Sequence, residues 1–362
     1  MHGTVWKRRD VLLGLGAAAA AAAVPRRARA ATRPVSLTLP WVAEGSNLFV
    51  YVAKANGYWS DAGLDVTISR GYGSVAASQA VGNGQFDFGI AAASSGLQQA
   101  AKGLPLVQIM SCGYDSTMGV CVLEDSPVKT LKDLEGRKLA ATATSGEFPF
   151  LAAFAGNAGF DLSKVEVVQV DAAVRQRVLS EKRVDALSGF AVTFLPVFVA
   201  NNLKTSFTLY SKHGLPFYSN VLLTRPDRVA REPEVCQAMA DGIARAMQFC
   251  LLNPAKALDI FFKQVPEAAL TAGGRTQAEV GLGIFRATLA HDLLRDNPVG
   301  YAAPADYERM VELVMTHLAA PGDARPRLEE VMTNRFVGPV RLTAQEFETA
   351  NADARQYARY LA

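Results

Sequence analysis

The sequence predicts an α/β protein folded as two lobes, each a mainly parallel sheet covered on both faces by helices, with further helices at the C-terminus. Three observations predict it. Between residues 36 and 111, β-prone runs alternate with short helical patterns separated by glycine turns. Such alternation builds parallel sheets, because parallel neighbours need a crossover and the helix supplies it. The same alternation restarts between residues 145 and 218. After residue 219 the apolar residues fall at three- and four-residue spacing over long stretches, the pattern of amphipathic helices.

The first residues are read as an export signal rather than as fold. Lys7, Arg8 and Arg9 precede an apolar run over residues 11–24, and Ala28-Arg29-Ala30 supplies a small-residue cleavage site. The run is about fourteen residues, short of the roughly twenty that span a bilayer. The Arg8-Arg9 pair points to the twin-arginine route, with Asp10-Val11 departing from its usual pattern. An N-terminal membrane anchor is the alternative. Residues 1–30 are therefore assigned to a signal peptide, and the remainder to the periplasm.

That assignment changes the charge. The chain is +3 overall, and residues 1–30 carry a net of +5, which leaves about −2 for the rest. A nucleic-acid partner loses its electrostatic footprint. Four cysteines occur without a C-x-x-C pair. Cys236 and Cys250, on one predicted helix, lie about 21 Å apart at about 1.5 Å per residue, too far for a disulfide. Cys112 and Cys121 could bridge only across neighbouring strands.

The elements follow in order. Residues 36–41, SLTLPW, read as a strand. Asn47 is placed as N-cap of a helix running to Asn56. Residues 64–69 read as a strand, and Ser74 caps a helix ending at Gly82-Asn83-Gly84. Residues 86–91 and 106–111 read as strands around a helix at 96–102. GVCVLEDS continues as a strand, and LKDLEGRKLA gives a short helix and a strand. Residues 144–150 form a loop opening a helix that stops near Gly159. A strand at 165–170, a helix at 174–182 and a strand at 186–189 complete the second lobe. SNVLLT is a strand, and helices at 232–252, 255–262, 276–293 and 305–318 follow. The last helix starts at Thr343, with Glu346 three residues on in a capping-box pattern. The chain is expected to cross between lobes near residues 118–126 and 218–224. Lobe 1 then comprises 31–122 and 220–362, and lobe 2 comprises 123–219.

Candidate ligand contacts sit at strand ends and helix starts, where open parallel sheets place their ligands. Gly71-Tyr72-Gly73-Ser74 is a turn whose N–H groups and helix dipole favour an anion or carbonyl. A purely structural turn is the alternative; a dinucleotide fingerprint is rejected because Asp87 arrives too early. Thr144-Ser145-Gly146-Glu147, with Phe148, offers donors at a second helix start, unless Ser145 simply caps it. Trp41 can stack on a planar ring. Asn47, Ser94 and Ser95 hold similar positions. Phe190 and Tyr218 are candidates for the opposite wall, with core packing as the competing role. Asn220 lies at a crossing strand, and Asp171 is a ligand-amine acceptor or a helix cap. None of these is Lys or Arg, and five are aromatic, so a planar organic solute is expected over a bare oxyanion. His213, His291 and His317 stand alone, without H-x-H or H-E-x-x-H spacing, so neither a metal site nor a cofactor is expected. No G-x-S-x-G occurs.

The motifs GYWSDAGLDVTI, QAVGNGQFDFGIA, VKTLKDLEGRKLA, LSEKRVDAL and LNPAKALDIF resemble the substrate-binding proteins of nitrate, sulfonate, taurine and thiamine-pyrimidine ABC importers. The similarity runs over residues 36–318. It implies the type II periplasmic-binding fold, a small-molecule solute closed between the lobes, an ABC transporter permease in the inner membrane as partner, and a monomer. The segment SGEFPF resembles the thiamine-pyrimidine branch, whose Gly-Glu-Phe-Gly loop holds a pyrimidine phosphate, with Pro149 replacing the last glycine here. Related synthases consume a histidine and use a lysine, at positions that fall on Ser95 and Ala91. A binding protein is therefore expected, not an enzyme. An exported enzyme of this fold, or a periplasmic ligand sensor, is the alternative.

Overall fold

A computed structural model describes residues 32–361. The signal-peptide assignment, residues 1–30, lies outside the described residues. The chain runs β1 (Arg33–Thr38), α1 (Phe49–Ala55), β2 (Leu64–Ser69), α2 (Ser74–Gly82), β3 (Phe88–Ala92), α3 (Ala93–Ala101) and β4 (Val107–Ser111). It continues through β5 (Met118–Leu123), β6 (Lys138–Ala141), α4 (Leu151–Ala158), β7 (Glu166–Gln169), α5 (Arg175–Ser180), β8 (Ala186–Phe190), α6 (Ala191–Ala200), β9 (Thr205–Leu209) and β10 (Asn220–Thr224). Helices follow: α7 (Pro226–Arg231), α8 (Pro233–Leu252), α9 (Pro254–Gln264), α10 (Pro266–Leu270), α11 (Gly274–Leu289), α12 (Leu293–Asp296), α13 (Pro304–Leu318), α14 (Leu328–Val331) and α15 (Ala344–Ala358).

The strands form two five-stranded sheets, ordered β2-β1-β3-β10-β4 and β7-β6-β8-β5-β9. In the first, β1 pairs parallel with β2 and β3, while β10 runs antiparallel to β3 and β4. In the second, β6 pairs parallel with β7 and β8, while β5 runs antiparallel to β8 and β9. Each sheet is thus mixed: four strands share a direction and the strand entering from the other lobe opposes them. The two linking segments lie side by side. Cys112 N–H donates to Asn220 O at 2.8 Å and Ser116 N–H to Phe217 O at 2.9 Å. They precede β5 and β10; the expected crossing at 118–126 begins inside β5, while that at 218–224 takes in the end of the second link together with β10.

Besides several short helices, two elements of the second lobe do not show in the periodicity. Helix α6, AVTFLPVFVA, is apolar on nearly every face and holds Pro196 internally. β9, TSFTL, adds the outer strand of the second sheet. Two caps also differ from expectation. Leu48, not Asn47, is the N-cap of α1. The Asn47 amide instead braces its own loop, accepting Glu44 N–H at 3.0 Å and donating to Val42 O at 2.8 Å. Gly73 caps α2, and Ser74 Oγ accepts Ala92 N–H at 3.1 Å, tying α2 to β3. Thr343 caps α15 with the reciprocal Glu346 contact.

The core is close-packed around large rings. Trp59 is buried against α8, where a Cβ on Gly242 would sit 2.3 Å from its Nε1, and the indole donates to Met239 O at 3.3 Å. Phe49 stacks on Phe285 at 5.2 Å, pinning α1 to α11. In the second lobe Phe154 stacks on Tyr210 at 4.2 Å. All four cysteines are buried and free.

Candidate functional site

The lobes meet at their strand ends. The first contributes the loop after β1, the start of α2 and the start of β10; the second contributes the loop after β6 and the starts of α5 and α6. Helix starts leave N–H groups without intrahelical partners, so these edges converge on donors. Between them lies a cavity of about 40 Å³. Trp41, Glu44, Gly73, Ser74 and Asn220 face it from one lobe, and Ser145, Arg175, Phe190 and Thr193 from the other.

The lobes touch through backbone. A Cβ on Gly73, whose φ is +113°, would lie 2.1 Å from Thr144 O. Only glycine permits that approach and that dihedral. Val75 N–H donates to Thr144 O at 3.2 Å, and Thr144 Oγ1 donates to Tyr72 O at 2.6 Å. Thr193 Oγ1 donates across the cleft to Glu44 Oε1 at 3.0 Å. Gly146 is equally confined: a Cβ there would meet Ser95 Oγ at 2.8 Å.

Arg175 is the central charge. It is 4% exposed, and its only side-chain hydrogen bond among the described residues runs from Nη1 to Ser145 Oγ at 3.4 Å. Its Nε is buried without a partner. The guanidinium lies 5.3 Å from the Trp41 ring centroid and 4.7 Å from that of Phe194. A guanidinium carries five N–H donors, so most of this one's are unbonded among the described residues. Burial lowers its pKa, opposed by Glu147 first and then Glu44.

Two acids balance it. Glu147 is fully buried; it accepts from Ser145 Oγ, and from Ser188 Oγ at 3.4 Å. Ser188 Oγ lies 3.2 Å from the Tyr210 hydroxyl, so a polar chain runs from the second-lobe core to the cavity wall. Burial raises the Glu147 carboxyl, and Arg175 is the largest opposing influence. Glu44 is partly buried and also accepts from Ser46 Oγ at 2.7 Å; burial again raises it. With both acids ionised the three groups sum to −1. The site presents donors and acceptors side by side.

Of the residues nominated from sequence, Trp41, Gly73, Ser74, Ser145, Phe190 and Asn220 face the cavity. Gly146 and Glu147 lie directly behind Ser145, and Thr144 holds the lobe contact. Ser94 and Ser95 are buried at the start of α3; Ser94 Oγ points to Met118 Sδ at 3.9 Å, and Ser95 Oγ has no partner. The others are turned elsewhere. Tyr72 is 63% exposed with Arg70 over its ring at 4.6 Å. Phe148 packs on the core. Asp171 accepts Ala173 N–H at 2.7 Å in its own turn. Tyr218 donates to Asp306 Oδ2 at 2.8 Å, away from the cavity. Sequence reasoning missed Arg175, Glu44 and Thr193, and a cleft without Arg is corrected by Arg175. One signal was available: an arginine in the first turn of a helix opposes the dipole, so something other than helix stability holds it there.

Two lobes of mixed α/β sheet, joined by paired segments and meeting at strand ends, have the fold of type II periplasmic binding proteins. Residues 46–257 match the NMT1/THI5-like family, and the chain belongs to it. The fold is shared with the alkanesulfonate-binding protein SsuA of Xanthomonas axonopodis pv. citri bound to MOPS (TM-score 0.62, 13% identity, 84% of this chain and 99% of that one). It is also shared with the nitrate-binding protein NrtA of Synechocystis PCC 6803 (TM-score 0.60, 13% identity, 91% of this chain and 89% of that one). In sequence, the formylaminopyrimidine-binding protein of Halalkalibacterium halodurans is 24% identical over 66% of this chain and 72% of its own length. The riboflavin-binding protein RibY of Chloroflexus aurantiacus is 22% identical over 89% of this chain and 91% of its own. A 4-amino-5-hydroxymethyl-2-methylpyrimidine phosphate synthase of Candida albicans is 28% identical over 32% of this chain and 34% of its own.

Proposed function

We propose that this protein is the periplasmic solute receptor of an ABC importer, and that it closes its lobes on a planar nitrogen heterocycle bearing both donors and acceptors. One observation carries the reading: Arg175, with an unpartnered Nε, faces the same cavity as Glu44 and Trp41, and Glu147 stands behind Ser145 to balance its charge. A ring carbonyl or ring nitrogen accepts from the guanidinium. A ring amine or N–H donates to a carboxylate. Trp41 supplies the stacking face. Relatives that bind a formylaminopyrimidine and riboflavin support the choice of a heterocycle.

Binding is the whole of the function in this reading. The cavity of about 40 Å³ is far below the ~300 Å³ at which small-molecule sites begin, so the lobes part to admit the solute and close over it. The closed form is what a permease in the inner membrane would receive. No helix among the described residues is long and apolar enough to cross a membrane. The synthase alternative gains nothing at the positions it needs: Ala91 and Ser95 occupy them and are buried.

A calorimetric and thermal-shift series tests this, using 4-aminopyrimidines, riboflavin, MOPS, nitrate and sulfate. A ring compound at about a hundredfold excess over its Kd should stabilise the protein by about 2.7 kcal/mol. Arg175→Gln should abolish that response. A response to nitrate or sulfate, with none to any ring compound, refutes the proposal.

A further inference from the structure

A second, larger space opens beside the inner cavity. Its volume is about 590 Å³, within the ~300–1,000 Å³ of small-molecule sites. The loop over residues 41–45 and helices α9, α10 and α11 wall it on one side, and α6 on the other. Trp41, Glu44, Val192 and Thr193 line both spaces, so the groove continues the inner cavity outward past the same indole. Because α6 belongs to the second lobe, the groove takes this shape only when the lobes come together.

The chemistry of the groove differs from that of the inner wall. Tyr51 and Phe261 form an aromatic floor with centroids 5.7 Å apart, edge to face. Gln264, Thr271 and Gln277 add neutral amide and hydroxyl groups, and Arg70 stands among two acids, Glu267 and the shared Glu44. Burial, aided by Glu267, pushes the Tyr51 phenol up to about 12, so it keeps its proton at neutral pH. Its hydroxyl has no hydrogen-bond partner among the described residues. Mixed donors and acceptors of no single sign match hydroxyl groups, each of which both donates and accepts.

We propose that this groove is a second subsite, holding a neutral hydroxyl-bearing chain attached to the ring that stacks at Trp41. The proposal rests on the heterocycle reading above and names the rest of the solute. The ring lies against Trp41 and the inner wall. The chain runs outward between α6 and the turn joining α9 to α11, over Tyr51 and Phe261.

Two probe pairs test it, each a ring with and without a hydroxylated substituent: riboflavin against lumiflavin, and cytidine against cytosine. Dissociation constants are measured by calorimetry on the wild type and on two variants of exposed groove residues, Gln264→Trp and Glu267→Arg. The hydroxylated member of at least one pair should bind about tenfold tighter in the wild type, a gain of about 1.4 kcal/mol. Gln264→Trp, which fills the groove, should erase that gain and leave the ring-only constant unchanged; Glu267→Arg should reduce it. Ring binding with no gain in either pair overturns the subsite and leaves the receptor reading standing. A gain that survives both variants also overturns it. No binding by any of the four compounds removes the heterocycle reading and the subsite together.

Discussion

Gly73→Ala separates what holds one lobe together from what holds the two lobes closed. Gly73 has φ +113° and ψ 151°, a region that is essentially glycine-only. Forcing alanine into it costs about 1–3 kcal/mol. That cost is internal to the first lobe, where Gly73 N–H donates to Pro40 O at 2.8 Å, so open and closed forms share it. The clash is different. The new Cβ would lie 2.1 Å from Thr144 O, which belongs to the other lobe. Real Cβ contacts stay above 3.0 Å, so the loop must retreat by about 0.9 Å. That retreat removes the Val75–Thr144 and Thr144–Tyr72 hydrogen bonds. At about 0.5–1.5 kcal/mol each, the closed form loses about 1–3 kcal/mol. Solute affinity should therefore fall about 5- to 150-fold. Calorimetry on the best ring compound reads the affinity. Melting without solute reads the shared strain. Small-angle scattering should show that saturating solute compacts the variant less than the wild type. A melting temperature that drops while affinity and compaction stay at wild-type values refutes the assignment of this contact to closure.

The remaining predictions concern charge and packing. Because burial raises the Glu147 carboxyl, the folded form holds its proton more tightly than the unfolded form does. Its contribution is then greatest below the ordinary glutamate value of about 4.3 and declines as pH rises above it. The melting temperature of the wild type minus that of Glu147→Gln should fall over that interval; a difference that rises with pH contradicts the burial argument. Ser95→Ala removes a buried hydroxyl without a partner, so stability should hold or rise by about 1 kcal/mol in urea titration. A loss of that size would mean the hydroxyl is bonded after all. Gly242→Ala drives a methyl to 2.3 Å from Trp59 Nε1 and should cost about 1–3 kcal/mol in the same titration, with solute affinity unchanged.

Much of the fold was legible because period and punctuation agree. β2 occupies the predicted residues 64–69, and α4 stops at Gly159 in a left-handed cap. Thr343 caps α15 as its spacing with Glu346 requires. The failures have physical causes. Helix α6 is buried between α11 and the second sheet, so it has no polar face and no amphipathic period to read. Asn47 looks like an N-cap because the residue type fits, yet its amide is consumed three and five residues upstream. The cavity wall was partly legible, since strand ends and glycine turns mark where ligands sit. Arg175 was not, because its role comes from α5 meeting the Trp41 loop across more than a hundred residues of chain. Tyr72 and Tyr218 show the converse. Ring chemistry suggested a wall, but one ring faces solvent and the other locks to Asp306.

The seam between α6 and α11 carries a thermal consequence. Ala191 and Leu195 of α6 pack on Val280 and Ile284 of α11, with Tyr357, Tyr360 and Leu361 at the end of the chain closing over them. Parting the lobes would wet this apolar seam, since α6 belongs to the second lobe. Closing therefore lowers the heat capacity, as apolar burial does. Hydrophobic attraction weakens on cooling, so the unliganded protein should gape more in the cold and the enthalpy of capture should grow more negative with temperature. Side chains of α6 and α11 that turn away from the cleft would thus set how far the lobes stand apart at a given temperature.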